Sequence, residues 1–204
     1  MTNIVLAMDS KSINHMNPLI NSINKNVKDP RIYLICNEFV SVDWAYKIAV
    51  LEDEKINAKN PYTRITKHTY YRLFIDVLFP ELDKCVYLDY DTLVLQDFSE
   101  LLDGDDWIIK AFIGNNIWLN AGVLAFNINN ECKNLLKQCR SKIGDLHDDQ
   151  IIINDVFKDK ITYISEEYNY MGKNIKDGIK IVHYIGNTKP WNIGDKFILW
   201  FKYL

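Results

Sequence analysis

Val86-Tyr87-Leu88-Asp89-Tyr90-Asp91 is an apolar run that stops on two acids. Residues i and i+2 of an extended chain point to the same side. The pattern predicts a buried strand, Cys85 to Leu88, that delivers two carboxylates to one spot at its end. Such a pair repels itself. A hard divalent cation relieves that repulsion and keeps positions open for phosphate oxygens. The competing reading is a solvated acidic turn. The chain offers a comparison, because Asp103-Gly104-Asp105 has the same spacing but lies in a glycine turn with no strand leading in. That second pair reads as surface.

Outward from this strand the chain alternates. Ile4 to Ala7, Ile32 to Ile35, Trp107 to Ile113, Ala121 to Ile128, Ile161 to Ile164 and Ile179 to His183 read as further strands. Leu93 to Leu95 is a short apolar stretch, and Asp103 to Asp106 a polar turn. Pro18 to Ile23, Thr69 to Phe79, Glu131 to Ile143 and Asp149 to Phe157 read as helices, the second stopped by Pro80. Residues 43 to 60 fit helix and strand equally. Apolar strands alternating with helices predict an α/β domain, a mostly parallel, Rossmann-like sheet with helices on both faces. Ligands of such sheets bind at the carboxyl ends of the strands. Asp9, Asn37, Asp89, Asp91 and His183 all fall at or just past strand ends, the first sign of a shared site.

The 204 residues suit one domain, 1–204, which could be part of a longer protein. An apolar fraction of 48% is enough for a core without staples. The net charge of −3 argues against a nucleic-acid partner, and an anionic ligand must be met by local charges or a metal. Cys36, Cys85, Cys132 and Cys139 have neither CxxC nor zinc-finger spacing, which predicts free thiols in a reducing compartment. With no signal peptide and no run long enough to span a membrane, the expected location is cytoplasmic. The last stretch, Phe197 to Leu204, is apolar and aromatic. It reads as a packing helix, a weak membrane contact, or the start of a further domain.

Four other segments carry candidate chemistry. In His183-Tyr184-Ile185-Gly186-Asn187-Thr188-Lys189-Pro190-Trp191 a histidine closes an apolar run and a glycine loop presents a lysine. Imidazole beside two carboxylates suits manganese better than magnesium, although magnesium stays possible. Gly186 would admit close backbone approach, and Lys189 a point charge for phosphate. His183 could equally be a satisfied structural residue. Ala121 and Gly122, in Trp118-Leu119-Asn120-Ala121-Gly122-Val123-Leu124, mark close approach of a ligand or of another backbone, or tight packing under a helix. In His147-Asp148-Asp149-Gln150, Asp149 could simply cap a helix, and Arg72 could simply pair with Asp76 one turn on.

In order along the chain, Ile4 to Asp9, Tyr71-Arg72-Leu73, Tyr87 to Asp91, Asn120 to Val123, Asp149-Gln150 and His183 to Trp191 resemble glycosyltransferase family 8. This retaining family includes glycogenin and the bacterial lipooligosaccharide galactosyltransferases. The resemblance implies a GT-A fold and a UDP-sugar donor. It makes Asp89, Asp91 and His183 the manganese ligands. Ala7 and Asp9 then lie beside the nucleotide, with Tyr90 in the donor site. Arg72 lies near the donor phosphate and sugar, and Gly186 and Lys189 at the diphosphate. Asn120, Ala121, Asp149 and Gln150 form the wall around the transferred hexose, with Asp149, Gln150 and Lys189 as the catalytic set. The implied reaction moves galactose or glucose to a hydroxyl of a glycan or glycoconjugate acceptor. Two departures from the family pattern stand out, the first of them where the acceptor cleft is shaped. The segment from Asp91 to Asn120 is shorter than in the bacterial galactosyltransferases, and no long basic tail follows Trp191.

Two other readings compete. A nucleotidyltransferase also pairs carboxylates with a metal, but it would carry a basic glycine loop where this chain has Asp9-Ser10-Lys11-Ser12. A non-catalytic nucleotide-sugar-binding module would have less reason to keep a whole ligand set and Lys189.

Overall fold

The computed structural model describes every residue except 57–66, 115–117, 145–147, 173, 187–188 and 193–197. Among these residues β1 (Thr2–Met8), β2 (Pro30–Cys36), β3 (Lys47–Val50), β4 (Lys84–Leu88), β6 (Ile109–Ile113), β7 (Leu119–Asn127) and β8 (Ile161–Tyr163) form one sheet, ordered β3-β2-β1-β4-β7-β6-β8. β5 (Thr92–Val94) and β9 (Ile181–His183) form a separate antiparallel ladder in which Thr92 faces His183. The helices are α1 (Asn17–Asn26), the short α2 (Ile75–Leu78), α3 (Asn130–Ser141), α4 (Asp149–Phe157) and the short α5 (Ile198–Phe201).

The sheet is mostly parallel, as the alternating pattern predicts. β7 is antiparallel to both β4 and β6. Its beginning therefore lies at the edge where β1 and β4 end, so Asn120 and Ala121 belong to the same edge as Asp9 and Asp89.

The alternation of side chains builds two cores. β1 sends Ile4, Leu6 and Met8 to one face and Val5 and Ala7 to the other; β4 divides Val86 and Leu88 from Cys85 and Tyr87 in the same way. The first face is covered by Leu19, Ile20 and Ile23 of α1. The second is covered by Cys132, Leu136 and Cys139 of α3 and by Ile152, Ile153 and Phe157 of α4. Strands buried on both faces explain why the sequence shows unbroken apolar runs. All four cysteines are buried and unpaired, and burial pushes the Cys132 and Cys139 thiols up to about 12.

Several elements differ from expectation. Instead of one helix from Thr69 to Phe79, a 3₁₀ segment, Lys67–Phe74, leads into α2. There Arg72 Nε takes the Thr69 carbonyl at 2.9 Å, an acceptor that a continuous α-helix would give to the amide of Leu73. The ambiguous stretch resolves into β3 and a 3₁₀ turn at Asp53–Lys55, and only its last four residues, 57–60, fall outside the described residues. The last stretch packs against the fold. Trp200 is buried with Leu93 and Val182, and Asn21 and Asn26 of α1 donate to the carbonyl and hydroxyl of Tyr203. Phe197 lies outside the described residues. No described helix is long and apolar enough to cross a membrane.

Candidate active site

The turn after β4 is fixed by its own backbone. The amide and hydroxyl of Thr92 both donate to the Asp89 carbonyl, at 3.1 and 2.7 Å. The Asp89 amide donates to the Gly122 carbonyl, which ties the turn to β7. His183 arrives from the other half of the chain, because β9 pairs with β5 directly behind Asp91.

One ligand atom each of Asp89, Asp91 and His183 lies within 4.8 Å of the others. His183 Nε2 is 3.4 Å from Asp91 Oδ1 and 3.8 Å from Asp89 Oδ2. Asp89 keeps Oδ2 for this cluster, since Oδ1 already accepts from Tyr87 Oη and Arg72 Nη2, both at 2.8 Å. His183 Nδ1 is 2.9 Å from Asn169 Oδ1. Asn169 is fully buried and donates in turn to Asn120 Oδ1 at 2.9 Å. With Nδ1–H on Asn169, Nε2 carries the lone pair that faces the carboxylates. Two carboxylates and an oriented imidazole nitrogen are a donor set that fits a divalent transition-metal ion.

Gly122 has a part the sequence did not specify. A β-carbon there would collide with the His183 ring. The close approach expected at this glycine is made by the imidazole, so the bare strand is the bed on which the ring lies. Ala121 is buried, with its amide on Gln150 Oε1 and its carbonyl on Arg72. It acts as a tie between elements.

Arg72 does not pair with Asp76, which Arg140 holds with two contacts of 2.5 and 3.1 Å. Arg72 instead reaches Asp89, comes within 3.1 Å of Asp149 Oδ2, and lies 4.3 Å over the Tyr87 ring. Burial works against its charge, but Asp149 and Asp89 outweigh that effect and raise its pKa. Asp149 is not the cap of α4, since Asp148 accepts from the Gln150 amide in that role. Burial pushes the Asp149 carboxyl up to about 6, against the pull of Arg72. Burial would also raise Asp91, but His183 and Lys189 overcome it and hold that carboxyl at about 2.

The structure places Lys189 on Asp91 Oδ2 and on the Tyr184 carbonyl. Gly186 adopts φ 87°, a conformation that glycine takes without strain. Asp9 Oδ1 accepts from the Ser12 amide and hydroxyl at 2.9 and 3.0 Å and so caps the turn after β1. Ala7 points its side chain into the core, so only its backbone can meet a ligand. Tyr90 stacks on Trp191, with ring centroids 5.4 Å apart. His147, Asn187 and Thr188 lie outside the described residues. Asp103-Gly104-Asp105 is a surface turn, with Gly104 at φ 74° and Asp105 paired to Lys84.

Sequence reading missed Asn169, Tyr87 and His68. Asn169 is one polar residue in an irregular loop and gives no local signal. Tyr87 was visible two residues before Asp89, on the same side of the strand. His68 sits 3.6 Å from Asp9 Oδ2 and edge-on to Tyr90, and burial lowers its pKa.

The family description Glycosyl transferase family 8 matches residues 3–107 and 104–193. The chain is 26% identical to the glycosyltransferase GlyE of Streptococcus pneumoniae serotype 4, over 98% of this chain and 60% of GlyE. It is 33% identical to glycogenin-1 of Caenorhabditis elegans over 58% of this chain and 33% of that protein. The chain thus spans 60% and 33% of these two relatives' lengths. Among solved structures, apo GlyE superposes with a TM-score of 0.79 at 22% identity, covering 99% of this chain and 59% of GlyE. The galactosyltransferase LgtC, solved with donor and acceptor sugar analogues, gives 0.75 at 19% identity, covering 98% and 96%. These two share the GT-A architecture. By the match along nearly its whole length, the chain belongs to glycosyl transferase family 8.

Proposed function

We propose that this chain transfers a hexose, galactose or glucose, from a UDP-sugar to a hydroxyl acceptor with retention of configuration. Asp89, Asp91 and His183 would hold manganese, with magnesium as the weaker substitute. The observation that carries this reading is the convergence of those three side chains within 4.8 Å, with Arg72 on Asp89, Lys189 on Asp91 and Gln150 on the neighbouring Ala121 amide. A bound metal supplies positive charge for the departing diphosphate. Lys189 lies against Asp91 and adds a point charge at the same place; removal of such a preorganised charge costs about 3 kcal/mol. Asn169 keeps His183 in one orientation. Arg72 reaches both Asp89 and Asp149 and so ties the metal end of the site to the sugar end. Gln150 has an uncharged amide and is a poor nucleophile. Retention is therefore assigned to attack by the acceptor on the leaving-group face.

The test is release of UDP from a panel of UDP-sugars with and without manganese. Asp91→Ala abolishes metal-dependent release without unfolding the chain, whereas Asp103→Ala has no effect. Full activity of Asp91→Ala, or activity indifferent to a chelator, would overturn the metal assignment.

A further inference from the structure

Trp191 stacks on two rings from distant parts of the chain. His15 lies with its centroid 4.9 Å away and its plane 17° from parallel, Tyr90 at 5.4 Å and 23°. Trp200, almost fully buried, closes against the indole at 5.7 Å, tilted by 53°. His15 ends the 3₁₀ turn Ser10–His15 that follows β1, and Tyr90 stands between Asp89 and Asp91. Trp191 comes two residues after Lys189. We propose that this aromatic stack aims Lys189, so that His15 and Trp191 are positioning residues that act on the donor phosphates through the lysine. The proposal rests on the donor reading above, in which Lys189 meets the diphosphate.

The main chain gives this stretch little support. Among the described residues Ile185 makes the last backbone bond before it, to the His183 carbonyl, and no backbone hydrogen bond ties Lys189 or Trp191 to the sheet. Side chains must therefore hold it. Lys189 Nζ donates to Asp91 Oδ2 and to the Tyr184 carbonyl. An ammonium group has three N–H donors, so one is left for a phosphate oxygen. With two of them committed, the direction of the third depends on where the lysine stem comes from, and hence on the backbone at residue 189.

The stack fixes that backbone from two residues away. Pro190, buried between Lys189 and Trp191, locks its own φ and keeps the residue before it out of the α region, so little freedom separates the indole from the lysine. The rings that receive the indole stand on ordered mounts. Asp9 caps the His15 turn by accepting from the Ser12 amide, and Met16, next in the chain, is fully buried. Tyr90 belongs to the turn that Thr92 and Gly122 fix. Both stacking distances lie in the favourable range for aromatic pairs. A displacement of about 1 Å in a group of this kind costs up to about a hundredfold in rate, which makes such a mount worth having.

The experiment measures UDP affinity, with manganese present, in the full chain and in variants at Lys189, Trp191 and His15. Lys189→Met alone weakens UDP by about tenfold or more, the loss expected for a charged hydrogen bond. In a Trp191→Ala background the same change costs about threefold or less, because the lysine is no longer aimed. Trp191→Phe keeps a stacking ring and most of the Lys189 effect. His15→Ala, at a half-buried position, weakens UDP by about two- to tenfold, the worth of one aromatic pair, and His15→Phe restores it. A role confined to folding would lower the melting temperature of Trp191→Ala and leave the cost of Lys189→Met as it was. Equal cost of Lys189→Met in every background would overturn the proposal, as would a His15→Phe variant no better than His15→Ala. If Trp191→Ala does not fold, the two His15 variants decide alone. Absent UDP binding by the unmodified chain would overturn the donor reading and this proposal with it. Intact UDP binding with a Lys189 cost indifferent to the stack would overturn the stack's role alone.

Discussion

Gly122→Ala adds one methyl group to a strand whose backbone permits it, since Gly122 is not among the residues with positive φ. The methyl would collide with the His183 ring, so ring or strand must move. Overpacking of this kind costs about 1–3 kcal/mol. For a chain of this size each kcal/mol lowers the melting temperature by about 2–4 °C, so a drop of about 2–12 °C is expected. The sign reverses once the ring is gone. In a His183→Ala background the new methyl enters space the imidazole has left, and alanine is better than glycine in a strand by about 0.5–1 kcal/mol. A double-mutant cycle should thus show a coupling of about 1.5–4 kcal/mol between the two positions. Thermal denaturation of the four proteins without metal gives the cycle. Manganese titration by electron paramagnetic resonance gives the second readout, a loss of about tenfold or more in Gly122→Ala alone, as for a displaced ligand environment. Equal cost of Gly122→Ala with and without His183 would refute the reasoning. It would mean that the strand, and not the ring, requires the glycine.

Asn169→Ala frees Nδ1 of His183 and should weaken manganese binding by about 10- to 100-fold, read by the same titration; unchanged affinity would remove Asn169 from the site. Asp149 titrates near 6 in the fold and near 4 in an unfolded chain, so the folded state takes up its proton more readily. Its contribution is therefore intact below about pH 4 and lost as pH rises to about 6, worth about 3 kcal/mol in all. Urea denaturation at several pH values should show the native chain losing stability relative to Asp149→Asn across that window, and parallel curves would refute it. An α-linked UDP-sugar should yield an α-linked product, read from the anomeric proton signal early in the reaction. A β-linked product would end the retaining assignment. In the same assay Gln150→Ala should slow transfer while UDP binding stays nearly intact.

What was legible in the sequence, and what was not, follows from the range of the interactions. Apolar runs such as Ile4 to Ala7 and Cys85 to Leu88 announce strands because both faces of the sheet are covered, a local signature of a global fact. Asp89 and Asp91 could be read as converging because the two-residue period is local as well. Pairings between distant segments were not legible. Nothing near Arg72 says that it will pass over Asp76 for Asp89 and Asp149, because the competing partner of Asp76, Arg140, lies on α3. Nothing near His183 says that β9 leaves the main sheet to pair with β5. The reversal of β7 was equally hidden, although it brings Asn120 to the site. Gly122 was marked by its size alone, and only the fold shows that its neighbour is a side chain of the protein itself.

The pairing of β5 with β9 also sets an order in time. All seven strands of the main sheet have been made once the chain reaches Tyr163, but His183 and the ladder that aligns it with Asp91 come later. During synthesis from the amino end the sheet can therefore collapse while the candidate metal site still lacks its imidazole. The cluster can close only after the β9 segment has left the ribosome and found β5. Until then the two carboxylates face each other without their nitrogen partner, so the proposed metal site is complete only after His183 has emerged.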